Sequence, residues 1–327
     1  MAATILVVDD DRTWPIERLV GRSPALVELR AAVQRMARGS ASPVLFLGEP
    51  GTGRSLAARV LHHLSDRSAR PFASVACKAT SAATLDETIF GVESAADQRP
   101  RNERPGALES CRGGTLFLSG VHETGVELQQ KLRQFLHEQT FSRVGGTGRI
   151  DADVRIVASS DGRVDGAVEG TFAREFSDRL GATVARLPPL RARTADVAPL
   201  VQHYIDVFNR ELGKQVEGVT PEASEALETY LWPGNVRELR NVVERAMLLV
   251  DGDRLQAAHL GLPAAGRGEG SAMALPPSGV NLEHLERDLV IQALQRTGGN
   301  QTRAATLLGL NRDQVRYRIE KFGLPRQ

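Results

Sequence analysis

An apolar run, PVLFLG, leads directly into GEPGTGRS, Gly48 to Ser55, and from there into a helical stretch ending near Leu64. Strand, glycine-rich loop and helix in immediate succession constrain the fold more than any other feature. Glycines let successive backbone N–H groups converge on phosphate oxygens, and the helix N-terminus beyond adds its positive end. The spacing is that of the G-x-x-x-x-G-K-[ST] loop with one departure. Arg54 stands where the lysine belongs, keeping the charge but presenting a bulky planar fork in place of a compact ammonium. Gly48, Gly51, Thr52, Gly53, Arg54 and Ser55 are therefore the candidate nucleotide-binding residues, for ATP, ADP or another nucleotide. The alternative is a loop kept only as scaffold.

The flanking sequence repeats the rhythm. PFASVAC (71–77), GTLFLSG (114–120) and DVRIVASS (153–160) read as further buried strands, separated by helical stretches such as Leu56 to Leu64 and Glu127 to Glu138. Apolar strands alternating with helices predict a parallel sheet covered by helices, because parallel strands need crossover connections. From 191 to 262 the period is helical throughout, with Thr220-Pro221 as an N-cap followed by proline and Gly234 as a break. Residues 263–281, rich in Pro, Gly, Ala and Ser, read as a flexible linker. Three helical segments follow: Leu282 to Arg296, Gln301 to Leu308 and Arg312 to Phe322. The expected domains are thus a segment 1–18, an α/β core 19–190, a helical lid 191–262, the linker, and an all-α end 282–327.

Charge singles out that last part. The chain is +1 overall, yet from Arg296 onward seven Arg and Lys face two Asp and Glu, a net +5. A basic terminus on a mildly acidic body points to a polyanionic partner for that terminus. Cys77 and Cys111 are too few for a disulfide framework or a zinc site and read as buried fillers; no metal site is expected. No apolar run approaches the roughly 20 residues needed to span a bilayer, and the first residues lack a secretory leader, so the expectation is a cytoplasmic protein with no membrane partner.

Seven ordered motifs carry a family resemblance from about Leu19 to Leu324: LVGRSPALVELR, GEPGTGRS, GGTLFL, DVRIVASS, RLPPLRAR, WPGNVRELRNVVERA and GGNQTRAATLLGLNRDQVRYRIEKFGL. Together they resemble the bacterial enhancer-binding proteins, the sigma-54-dependent transcriptional activators. The resemblance implies an AAA+ core with a helical lid, usually oligomeric, followed by a Fis-type helix-turn-helix. It also implies site residues, and many of them are altered. The family's magnesium Asp and catalytic Glu correspond to Ser119 and Gly120. The Asn that restrains that Glu corresponds to Ala76, and the sensor Asn ending the fourth strand to Asp161. Of two arginines that reach a neighbour's nucleotide, the first position is Ala173 with Arg174 beside it; Arg179 remains, as does the lid's Arg237. The sigma-54-gripping GAFTGA loop corresponds to 95–100, where ADQRPRNERPG is polar and proline-bearing.

The C-terminal segments predict a helix-turn-helix. Asn300 and Asn311 can cap, Gly323 can end the last helix, and Ala305, Leu308 and Leu310 can pack against Val315, Ile319 and Phe322. That stripe turns Arg312, Asp313, Arg316 and Tyr317 outward for base edges in the major groove of double-stranded DNA. Thr302, Arg303, Arg318 and Lys321 are assigned to phosphates. Leu282, Leu285, Leu289 and Ala293 form an apolar face that either pairs with a second copy or covers the helix-turn-helix core. ILVVDDD, Ile5 to Asp11, resembles the opening of a receiver domain but lacks the length of one; Asp9, Asp10 and Asp11 read as a remnant or a solvated charge run.

Three functional readings stay open. The first is a DNA-binding regulator that acts on RNA polymerase without hydrolysing ATP or remodelling sigma-54, dimeric through its C-terminal end or a larger AAA+ oligomer. The second is a conventional ATP-driven sigma-54 activator. The third is a regulator controlled by a nucleotide second messenger such as the cyclic di-GMP that some of that family bind, with Arg18 and Arg22 near the site's entrance.

Overall fold

The computed structural model describes residues 6–8, 14–39, 42–78, 81–93, 104–161, 183–262, 282–308, 310 and 312–323. A six-stranded sheet forms its centre: β1 (Leu6–Val8), β2 (Val44–Leu47), β3 (Phe72–Ala76), β4 (Thr115–Ser119), β5 (Arg155–Ser160) and β6 (Val184–Arg186). The order across the sheet is β1-β3-β4-β5-β2-β6. All neighbours are parallel except β1, which runs antiparallel along β3 with Leu6 opposite Ser74.

Alternation along the strands builds two cores. Leu45, Leu47, Ala73, Val75, Leu116, Leu118, Ile156 and Ala158 face α3 (Ala82–Phe90) and α4 (Val126–Glu138), meeting Leu85, Ile89, Leu128 and Leu132. Val44, Phe46, Phe72, Phe117 and Val157 face α1 (Pro24–Arg38) and α2 (Arg54–His63), meeting Leu26, Val33, Val60 and Leu61. Both faces are apolar because helices cover both, which is why the inner strands read as largely apolar runs. Cys77 and Cys111 are buried in the first of these cores, and burial pushes both thiols up to about 12, as expected of inert fillers.

The segment 191–262 folds around a third core, formed by α5 (Val197–Leu212), α6 (Pro221–Thr229) and α7 (Asn235–Leu249). Trp232 is its fully buried centre, its indole N–H donating to Leu227 O at 2.9 Å. Thr220 caps α6 by accepting from Ala223 N–H. One correction applies here: this part is not helical throughout, since Gly218–Val219 pairs in parallel with Arg254–Leu255.

The chain divides into two compact units, 1–265 and 266–327. The second contains α8 (Leu282–Arg296), α9 (Gln301–Leu308) and α10 (Arg312–Lys321) around Val290, Ala305, Val315 and Ile319. Gly323, at φ +61°, ends α10.

Two expectations change. The sequence does not announce β6, whose three residues alternate in burial at the sheet edge. The N-terminal segment is no separate piece either: its apolar residues extend the sheet, because β3 otherwise leaves an open edge. Asp9, Asp10, Asp11 and Asn311 lie outside the described residues.

Candidate functional site

The carboxyl ends of the strands form one line. Ala76 pairs with Ser119, Ser119 with Ser159, and Leu47 with Ser160. Parallel strands finish on a common edge, so Ala76, Ser119, Gly120 and Asp161 lie beside the loop that leaves β2. These four positions, scattered over some 85 residues of sequence, are thus brought together. Gly120 donates its N–H to Ser159 O at 3.0 Å and adopts φ +79°, ψ +42°.

The loop keeps its cradle. Gly51 and Gly53 take φ +83° and +107°, and buried Thr52 donates its hydroxyl to Glu49 O at 2.8 Å. The following segment clamps it. Asn235, fully buried at φ +55°, donates to Glu49 Oε2 and Pro50 O, both at 3.1 Å, and accepts from Leu190 N–H at 2.8 Å. Arg237 N–H donates to Gly51 O, and buried Arg193 donates to Thr52 O at 3.0 Å. At the rim Arg191 donates to Glu49 at 2.8 Å, which holds that carboxylate below its usual range. The rim pair is half exposed and contributes at most about 1 kcal/mol. Loss of the Asn235 carboxamide would orphan buried groups, at roughly 1–3 kcal/mol each.

Beside the loop lies a cavity of about 340 Å³, lined by Leu19, Val20, Leu56, Leu187, Tyr204 and Val236. Arg18, placed near the entrance from sequence, also lines it, 4.6 Å above the Trp14 ring. The backbone N–H of Arg22 donates to Asp196 at 2.6 Å, and its side-chain Nε donates to Ala195 O at 3.3 Å.

A phosphate chain with a planar base fits these residues: backbone amides and Arg54 for the phosphates, the apolar slot for the base. A magnesium ion fits poorly. It demands an octahedral set of hard oxygens, usually including carboxylates, and β4 ends in one hydroxyl and a glycine. Among the described residues there is no group of three or more His, Cys, Asp or Glu suited to a metal.

Two residues at the loop, Asn235 and His122, have roles that the sequence does not announce. His122 Nε2 lies 3.4 Å from Asp161 and 3.5 Å from Glu123, and its Nδ1 3.3 Å from Ser160 Oγ. No periodicity flags a histidine in a short turn after a strand; only the turn at Gly120 carries it to the sheet edge. Arg179, Arg174, Ala173 and 95–100 lie outside the described residues. The base of that last stretch is described: Gly91 pairs with Pro105 and Val92 with Arg104.

On α10, Arg316 and Tyr317 are exposed, Tyr317 by 63%. Arg316 lies 3.5 Å from Glu320, one turn on. Arg318 is tied down instead: its Nε donates to Glu286 on α8 at 2.7 Å and its Nη1 to Gln314 O. Lys321 and Thr302 are exposed, and Asn300 Oδ1 accepts from Thr302 N–H. The side chains of Arg303, Arg312, Asp313, Leu282 and Leu285 lie outside the described residues. On α8, Val290 and Ala293 are buried while Leu289 is 45% exposed.

Comparison with known proteins agrees with this geometry. Residues 19–185 match the Sigma-54 interaction domain, 191–274 the AAA+ ATPase lid domain, and 281–322 the Fis family of bacterial regulatory proteins. The nitrogen fixation protein VnfA of Azotobacter vinelandii is 35% identical over 94% of this chain and 59% of its own. The regulatory protein AtoC of Escherichia coli K12 is 32% identical over 95% and 69%. The chain therefore spans about three fifths of the first relative and about seven tenths of the second. NtrX from Brucella abortus, solved in complex with ADP, is 33% identical with a TM-score of 0.70, over 93% of this chain and 69% of that one. Its complex with ATP gives 0.69 at 32%, with the same coverage. Likeness to a RuvB mutant from Thermotoga maritima, at 14% identity and TM-score 0.52 over 93% and 87%, is one of fold alone.

Proposed function

The chain belongs to the family of sigma-54-dependent transcriptional activators, and on that premise we propose a DNA-binding transcriptional regulator whose AAA+ module binds nucleotide without hydrolysing it. In this reading the core and lid, 19–262, form a sensing or oligomerising platform. The end from 282 binds double-stranded DNA, as a dimer, and RNA polymerase is engaged by a route other than remodelling sigma-54.

The end of β4 carries the reading. Hydrolysis in such a site needs a metal ligand and a general base, and those positions hold Ser119 and Gly120. Removing one electrostatic or acid–base contributor costs roughly 10²- to 10⁴-fold in rate, so losing two independent ones takes turnover below detection. Ala76 and Asp161 on the same edge deepen the loss, and the polar sequence at 95–100 lacks the apolar, aromatic tip through which relatives grip sigma-54.

For DNA, exposed Arg316 and Tyr317 on α10 are assigned to base edges, as are Arg312 and Asp313 from the sequence; Thr302, Arg303 and Lys321 are assigned to phosphates. Arg318, braced on Glu286, orients α10 against α8 and contributes its charge from the flank.

Magnesium-dependent ATP turnover is expected to match buffer alone, while footprinting shows a specific protected site. Arg316→Ala should weaken that protection by about 1–3 kcal/mol, roughly 5- to 160-fold. Turnover of ATP, or a footprint indifferent to Arg316, overturns the corresponding half of the proposal.

A further inference from the structure

The charges round the loop are arranged in an unusual way. Gly48 N–H donates to Ser160 O at 3.1 Å, so Asp161 leaves the sheet beside the first residue of the loop. Its side chain is only 15% exposed and sits against His122, itself 12% exposed. Arg54, at the position that ordinarily reaches the outer phosphates, interacts electrostatically with both Asp161 and Arg237. Burial lowers its pKa, Asp161 opposes that shift and Arg237 adds to it. The Arg54 Nη1 is buried and has no hydrogen-bond partner among the described residues. Two guanidinium groups therefore converge from loop and lid. The carboxylate that acts on Arg54 is that of Asp161, beside the start of the loop.

We propose that this site takes a nucleoside diphosphate without a divalent cation, and that the Asp161–His122 pair excludes a third phosphate. The inference rests on the reading that the loop binds nucleotide.

Charge and ligand geometry supply the reasons. A triphosphate carries one phosphate and one charge more than a diphosphate, and its last group would meet the Asp161 carboxylate in a half-buried site, where repulsion is little screened. Magnesium would normally neutralise that charge, but β4 offers it a serine hydroxyl and a glycine. Guanidinium groups stay charged, and their planar forks match phosphate oxygens two at a time, so Arg54 and Arg237 can supply the neutralisation that a metal supplies elsewhere. The unpartnered Nη1 of Arg54 is a donor that a phosphate oxygen would satisfy. His122, itself in contact with Ser160 and Glu123, lies 3.4 Å from Asp161 and ties that carboxylate to the turn after β4.

The test is calorimetric titration of the full chain with ADP and with ATP, each in magnesium and in EDTA. ADP should bind equally well with and without the metal, and ATP at least about tenfold more weakly, a difference of ~1.4 kcal/mol. Asp161→Asn, which removes the charge but keeps the shape, should narrow the gap by raising ATP affinity. Equal or tighter ATP binding by the unaltered chain, or an absolute need for magnesium, overturns the inference while leaving nucleotide binding intact. Binding of neither nucleotide overturns the nucleotide reading itself, and with it this one. The comparison in the unaltered chain stands even if Asp161→Asn fails to fold.

Discussion

Gly120 adopts φ +79°, a backbone conformation in which an L side chain costs about 1–2 kcal/mol. Restoring the two carboxylates by Ser119→Asp with Gly120→Glu would place the new Glu on a strained backbone, opposite Arg54 and an Asp161 that both remain. The double variant is expected to stay inactive in a magnesium-dependent ATPase assay, and recovered turnover would show that the two side chains alone set the activity. At this scale the sequence was informative wherever a residue type is diagnostic of a position: Ser119, Gly120, Ala76 and Asp161 were located by motif and do share one edge. It was blind to His122 and Asn235, whose roles depend on turns. It assigned Arg318 to phosphates without seeing Glu286, which lies 32 residues earlier on another helix.

Among elements, the four internal strands were legible because burial on both faces leaves them almost wholly apolar. The edge strand β6, half exposed and three residues long, carries no such signal, and β1 joins the sheet by a pairing no local pattern encodes. The loop and the helix that clamps it form the contact on which the site depends. A Cβ at Gly51 would lie 2.2 Å from Gly234 O, whereas one at Gly53 meets nothing within 4 Å. Both glycines hold positive φ, so Gly53→Ala incurs the backbone cost alone and Gly51→Ala adds a clash with main chain that must shift. Thermal unfolding should fall by roughly 4–8 °C for Gly51→Ala, taking about 2 kcal/mol for a unit of this size, and by less for Gly53→Ala. Equal shifts would mean that loop and lid are not packed as tightly as the structure has them.

At the scale of the molecule, four apolar clusters among the described residues divide the work: two on the faces of the sheet, one in the lid, and a small one in the second unit. That last cluster rests on few residues in a unit of about 60, a size at which a folded domain is marginally stable. Ile319→Ala, at about 2–5 kcal/mol, should therefore unfold the second unit and abolish footprinting while the unfolding transition of the first unit is retained. Loss of both transitions together would contradict the division into separate cores. The sequence by itself determined the layered α/β architecture, the lid and the helical end. Each of those is written in local periodicity or in a short motif, and local physics suffices to read them. Only the tertiary structure decided which groups face one another: His122 against Asp161, Asp161 against Arg54, Asn235 against the loop, Glu286 against Arg318. Those pairings join residues far apart in the chain, and electrostatics and hydrogen bonding act over a few ångströms of space, whatever the distance along the sequence.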